Sequence, residues 1–178
     1  MSSKKASARG MAYAAMFGAM TAVGAYITIP LQPVPITLQS LFANLAGALL
    51  GGYLGALSQV VYLLLGIIGL PVFAGGKAGL GVLLGPTGGY LIGFVIGTYL
   101  TGKITELKKK PGFILILLAM LAGNLVIYGL GITRLALVAR LSLAKAVAAG
   151  VIPFLPGDFL KMVAAAVIAT RLRNRIKL

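Results

Sequence analysis

Apolar residues fill this chain in long runs, and polar or helix-breaking positions divide those runs at a few places. The first run, over residues 8–29, is about 20 residues long, enough to cross a hydrocarbon core of about 30 Å as a helix. Lys4, Lys5 and Arg9 lie before or at its start. The run is too long for the core of a secretion signal, and no convincing cleavage site follows, so it reads as a first membrane helix. Pro30, Pro33 and Pro35 then break the chain, because prolines this close together cannot occupy a helix interior. A second helix is predicted over residues 37–50, about 21 Å long and short for a bilayer, which leaves room for a cavity at its outer end. Gly51-Gly52 reads as a tight turn into a third helix over 53–70. Residues 71–86 form the longest non-helical connection expected. They are rich in glycine yet keep Phe73, Val82, Leu83 and Leu84, so the segment should fold back as a lid over apolar space. A fourth helix spans 87–106, with Gly89, Gly93 and Gly97 as a close-packing ridge. A fifth spans 111–131 and carries Asn124 and Tyr128 inside its apolar run. Residues 133–143, with Arg134 and Arg140, read as a loop or short interfacial helix. A small-residue helix over 143–151 is interrupted by Pro153 and Pro156, and a sixth long helix covers 158–172. The fold class is an all-α integral membrane protein, a single transmembrane domain over residues 1–178 with six spans.

Composition supports that class. The chain is 60% hydrophobic with a mean hydropathy of +1.04, more apolar surface than a soluble domain of this length could hide. A net charge of +14 would suggest nucleic acid in a soluble protein. Here the basic residues fall at helix ends, where topology and anionic headgroups account for them, so no nucleic-acid partner is expected. Six spans place both termini on one side. That side collects Lys4, Lys5, Arg9, Lys103, Lys108, Lys109, Lys110, Arg171, Arg173, Arg175 and Lys177, against Lys77, Arg134, Arg140 and Lys145 on the other. The positive-inside rule then makes both termini cytoplasmic in the cell membrane. On this topology the breaks in regular helix gather at the outer leaflet. Irregular backbone at membrane depth is tolerated where it lines a cavity, which points to an outward-facing pocket capped by loops.

The chemistry available is narrow. There is no His and no Cys, hence no disulfide or thiolate, and the two acids, Asp158 and Glu106, fall on opposite sides. No carboxylate pair or metal cluster can be built, so neither an enzyme nor a metal or other cofactor is expected. Ser142 and Lys145 have the types of a Ser–Lys dyad, but such spacing is common in short helices. The glycines of the lid segment do not make a phosphate loop, because no GxxxxGK[ST] follows a strand. With no such motif the chain alone does not use ATP, and if it moves a solute against a gradient, a partner or a coupled ion has to supply the energy. Asp158 and Lys161 stand out in apolar sequence. As the start of the last helix, Asp158 can be an N-cap with Lys161 on the same face, tied in an i,i+3 ion pair. Alternatively, and compatibly, the two are a ligand site, since charged groups in a membrane suggest function. Asn124, Tyr90, Thr37, Gln39 and Lys77 complete the polar candidates, with Thr37 also readable as an N-cap. In the first helix Ala14, Gly18 and Ala22 form one small-residue row and Ala15 and Ala19 another, suited to close packing on this chain's own helices or on a second membrane subunit.

Four stretches resemble the BioY family, the biotin-specific S components of energy-coupling factor (ECF) transporters: residues 33–39 (PVPITLQ), 69–76 (GLPVFAGG), 85–91 (GPTGGYL) and 153–158 (PFLPGD), with Lys161 following. The match runs in order over nearly the whole chain. The resemblance implies a six-helix S-component fold and tight capture of biotin from outside. It also implies partnership with a transmembrane coupling subunit and two cytoplasmic ABC ATPases. It assigns Asp158 and Lys161 to biotin, and it implies an AxxxA docking motif on the first helix, which Ala15 and Ala19 fit best and Ala8 and Ala12 also match in spacing. Phe73 and Tyr90 would then pack on the ring system, with Lys77 a candidate for the carboxylate. The alternatives are an S component for another vitamin, or a structural membrane subunit without a ligand.

Overall fold

The structure, a computed structural model, describes residues 7–173 and 175–176. Lys4, Lys5 and Lys177 of the charge asymmetry lie outside the described residues. Among the described residues the chain folds into seven α-helices, one 3-10 turn and a two-stranded ribbon.

Helix α1 (Ala8–Tyr26) is capped by Ser7, whose Oγ accepts from Gly10 N at 3.0 Å. It stops before Ile29. Residues 27–29 are β-branched and precede Pro30, which disfavours helix for the residue before it. Strand β1 (Thr28–Ile29) instead pairs antiparallel with β2 (Ile36–Thr37), so the prolines form the loop of a short ribbon.

Thr37 belongs to that ribbon rather than to a helix, and α2 (Gln39–Ile67) begins after it. Its two arms, 39–50 and 52–67, meet at Gly51, whose φ of 81° only glycine adopts without strain. A Cβ on Gly55 would lie 3.0 Å from Gly47 Cα. A straight helix would hold residues eight apart about 12 Å from one another, so the arms fold back on each other as the Gly51-Gly52 turn predicts.

The expected lid is more ordered than a loop. It contains a 3-10 turn (Ala74–Gly76) and α3 (Leu80–Leu84), and Gly79 N donates to Gly66 O at 2.7 Å, tying it to the end of α2. Helix α4 (Gly88–Thr105) lies between α2 and α5, and glycine makes both contacts possible. Toward α5, a Cβ on Gly97 would stand 2.6 Å from Gly123 O; toward α2, one on Gly102 would stand 2.2 Å from Gly52 N. Close backbone approach of this kind is how helices associate in lipid.

Helix α5 (Phe113–Ala139) passes Gly131 and absorbs most of the stretch expected as a loop or interfacial helix. Nothing after Gly131 breaks a helix, and Leu135 is fully buried. The end comes at Arg140, in the left-handed region at φ 52°. Helix α6 (Leu143–Gly150) is capped by Ser142 Oγ, which accepts from the backbone N of Lys145, so this pair is a cap, not a dyad. Helix α7 (Leu155–Leu172) starts three residues before Asp158, with Pro156 in its first turn, a position proline suits. Asp158 is therefore inside the first turn and is not its N-cap. A break bent by 53° separates α6 from α7.

Among the described residues, α2 and α5 have the length and apolar composition to cross a membrane, as does the bent α6–α7 pair if counted as one span, although α2 reverses at Gly51 into two shorter arms. Leu118, Leu121 and Leu125 on α5 are exposed, a surface suited to hydrocarbon. One apolar cluster, around Phe17, Leu49, Met120 and Met162, fills one half of the bundle. A second, with Tyr62, Phe73, Phe94, Ile127 and Phe154, surrounds a cavity in the other half.

Candidate functional site

The cavity lies between the β-ribbon loop, the lid, α4, α5 and the start of α7. Its volume is about 100 Å³. Val34, Phe73, Leu91, Phe94, Ile127 and Phe154 supply most of an apolar wall. Such a wall with a few fixed polar groups is the usual form of a small-molecule site.

The polar groups converge on Asp158. Its Oδ1 accepts from Lys161 Nζ at 2.7 Å and from Ser40 Oγ at 3.1 Å, and its Oδ2 accepts from Tyr128 OH at 2.5 Å. Lys161 Nζ also donates to the Thr37 carbonyl at 2.7 Å. The two side chains are only 11–12% exposed. The helix start makes this possible: with α7 beginning at Leu155, residues 158 and 161 project from one face toward the ribbon and α5. A carboxylate has about four lone-pair positions and an ammonium three donors. Three of the former and two of the latter are used here, so the pair retains one acceptor and one donor.

Thr37 Oγ1 donates to Gln39 Oε1 at 2.8 Å, and Gln39 Nε2 donates to Tyr62 OH. Both residues line the cavity, yet their polar atoms are largely spent on each other and on Tyr62. Tyr90 OH donates to Gly150 O at 2.8 Å, leaving its ring for the cavity. That ring lies on Gly131, where a Cβ would stand 2.3 Å from it. Phe73 is held in the same way over Gly66 and edge-on to Tyr62, centroids 5.6 Å apart. Lys77 lines the cavity from the exposed lid.

Seven of the eight predicted site residues thus border one space. Asn124 does not. It sits one turn below Tyr128 on α5, and its Oδ1 accepts from Asn44 Nδ2 at 3.4 Å, Asn44 being one turn below Ser40 on α2. The two asparagines form a second rung beneath the Ser40–Asp158–Tyr128 one, joining the same two helices. Tyr128 and Ser40 are not among the site residues expected from sequence. The signal for Tyr128 is a hydroxyl four residues from Asn124 on an otherwise apolar helix, and for Ser40 its place beside Gln39. On α1, Ala14, Gly18 and Ala22 face inward, while Ala8, Ala12, Ala15 and Ala19 are exposed.

Comparison with known proteins gives one answer. The BioY family profile matches residues 1–178. A biotin transporter BioY of Thermotoga maritima is 45% identical over 93% of this chain and 96% of its own length. A probable biotin transporter BioY of Pyrococcus horikoshii is 43% identical over 94% of this chain and 98% of its own. Among solved structures, the crystal structure of an S-component for biotin from an ECF-type ABC transporter superposes with a TM-score of 0.85 at 31% identity, covering 93% of this chain and 90% of that one.

Proposed function

The chain belongs to the BioY family, and from that premise we propose that it captures biotin for uptake across the cell membrane as the substrate-binding subunit of an ECF-type ABC transporter. The observation that carries the site assignment is the Asp158–Lys161 pair: nearly buried, set in an apolar cavity, and left with one free acceptor beside one free donor. The edge of a cyclic urea presents the complement, an N–H next to a carbonyl. In this reading Asp158 accepts one ureido N–H and Lys161 donates to the ureido oxygen. Phe73 and Tyr90 pack on the bicyclic ring, and Lys77 at the exposed rim meets the valerate carboxylate.

The fold suits six spans: α1, the two arms of α2, α4, α5 and α7. The Gly51 reversal, Glu106, Lys108–Lys110 and Arg173 then share one end and the cavity the other. The richer basic content of the first end makes it cytoplasmic, together with both termini, so the cavity faces out. The exposed Ala15–Ala19 face of α1 docks the transmembrane coupling subunit, through which two ABC ATPases supply the energy.

Isothermal titration of the purified protein with biotin tests the site. Saturable, tight binding is expected for the wild type and markedly weaker binding for Asp158→Asn and Lys161→Ala. Unchanged affinity in both variants would remove the site. Mass spectrometry of small molecules released from protein purified from biotin-fed cells separates the alternatives: a different vitamin, or nothing, overturns the substrate assignment.

A further inference from the structure

At the end opposite the cavity, residues 106–112 join α4 to α5 and leave a groove lined by Lys108, Gly112, Phe113, Ile114, Leu115 and Leu118. Two properties meet there. Lys108 lines it, and Lys109 and Lys110, the next two residues of the connection, are exposed as it is. The nearby acid, Glu106, is already engaged, accepting from Gly52 N at 2.9 Å and pairing with Lys103 at 3.3 Å. The three lysines therefore have no anion of this chain to neutralise them among the described residues. The rest of the groove is apolar and runs along α5, where Ile114 is 71% and Leu118 55% exposed on one of the most apolar helices of the bundle. One end of the groove is thus cationic and wet, and the other lies against hydrocarbon.

We propose that this groove binds an anionic phospholipid, its phosphate held by Lys108–Lys110 and an acyl chain lying over Ile114 and Leu118. Charge complementarity selects the head, and the exposed apolar floor selects a tail, so the occupant must carry both. A free anion satisfies only the first requirement and a neutral lipid only the second. Near an anionic membrane surface each lysine favours an anionic headgroup about fivefold, so engagement of even one of the three on the phosphate is enough for a severalfold selection.

The test uses the full-length protein reconstituted in vesicles of equal parts phosphatidylglycerol and phosphatidylcholine, re-extracted gently, with retained lipids quantified by mass spectrometry. Phosphatidylglycerol is expected to be enriched severalfold over phosphatidylcholine. Lys108→Gln/Lys109→Gln/Lys110→Gln should bring that ratio close to one, while Arg140→Gln/Lys145→Gln, at the other end, should not change it. Leu118→Trp, which fills the groove without altering charge, should also lower retained phosphatidylglycerol. The proposal is overturned by an enrichment that survives the triple change. It is equally overturned if Leu118→Trp has no effect, which would leave only a diffuse charge attraction. Displacement of the retained lipid by millimolar inorganic phosphate would show a bare anion site instead, and phosphatidylglycerol retained no more than phosphatidylcholine would overturn the proposal outright.

Discussion

Replacing Lys161 by Met and Asp158 by Asn, singly and together, separates a ligand site from a structural brace. Each residue is about one-tenth exposed, and they meet at 2.7 Å. Lys161→Met leaves Asp158 with Ser40 and Tyr128 as neutral donors, and also leaves the Thr37 carbonyl without its partner. Removing one member of such a pair costs folding stability, by about 3–5 kcal/mol where burial is complete and less here. A hydrogen bond from a ligand to a charged group contributes about 1.5–3 kcal/mol, so each single change should weaken biotin about 10- to 150-fold. Because the free acceptor and free donor act on one edge of the ligand, the double change should cost less than the sum, with a coupling of about 1 kcal/mol or more. Titration calorimetry supplies the affinities, and thermal unfolding in detergent verifies that each variant is folded under the conditions used. If the pair only braces α7, unfolding temperatures fall while affinity per folded molecule stays within about twofold of wild type, a difference well under 1 kcal/mol. That result, or strictly additive losses, would refute the argument.

Other changes probe the scaffold. Gly97→Val forces a branched side chain where even a Cβ would stand 2.6 Å from Gly123 O. It should destabilise the α4–α5 contact by about 3 kcal/mol or more, read as a large drop in thermal midpoint. Asn124→Leu removes the lower rung without touching the cavity wall, so stability should fall by about 0.6–2 kcal/mol and biotin affinity by less than tenfold. A larger affinity loss would mean direct contact with the ligand. Gly51→Ala places a Cβ at φ 81° and ψ −177°, 2.1 Å from Glu106 Oε1, and should cost about 1–3 kcal/mol for a backbone conformation nearly confined to glycine. Adding Glu106→Ala should relieve the steric part, and unfolding of the double variant checks it. Ala15→Leu/Ala19→Leu enlarges an exposed face of α1 and should leave biotin titration unchanged while abolishing co-purification with the coupling subunit.

Charge rarity makes Asp158 and Lys161 legible: in so apolar a chain, a carboxylate and an amine three residues apart are conspicuous from the order of residues alone. Glycine spacing is legible for a similar reason, since Gly89, Gly93 and Gly97 recur at one-turn intervals and do face α5. The partners of Asp158 are not. A hydroxyl in an apolar helix gives no sign of whether it bonds its own backbone, as Thr21 does on Phe17, or reaches across the bundle, as Tyr128 and Ser40 do. The extent of α5 is hidden because Thr133 and Arg134 look like a helix end. Thr133 Oγ1 in fact donates back to Gly129 O within the helix, and Arg134 reaches the carbonyl of Leu84. The start of α7 is hard to place because Pro156-Gly157 signals a break and a first helical turn equally well.

The carboxylate at the heart of the cavity arrives on α7, whereas the hydroxyls it meets, those of Ser40 and Tyr128, precede it by 118 and 30 residues. During translation, then, the emerging polypeptide carries an empty cradle through most of its synthesis. Only when the closing segment enters the bilayer are those hydroxyls given their anion. A polypeptide cut short before residue 158 would keep both hydroxyls and lack the acid they serve.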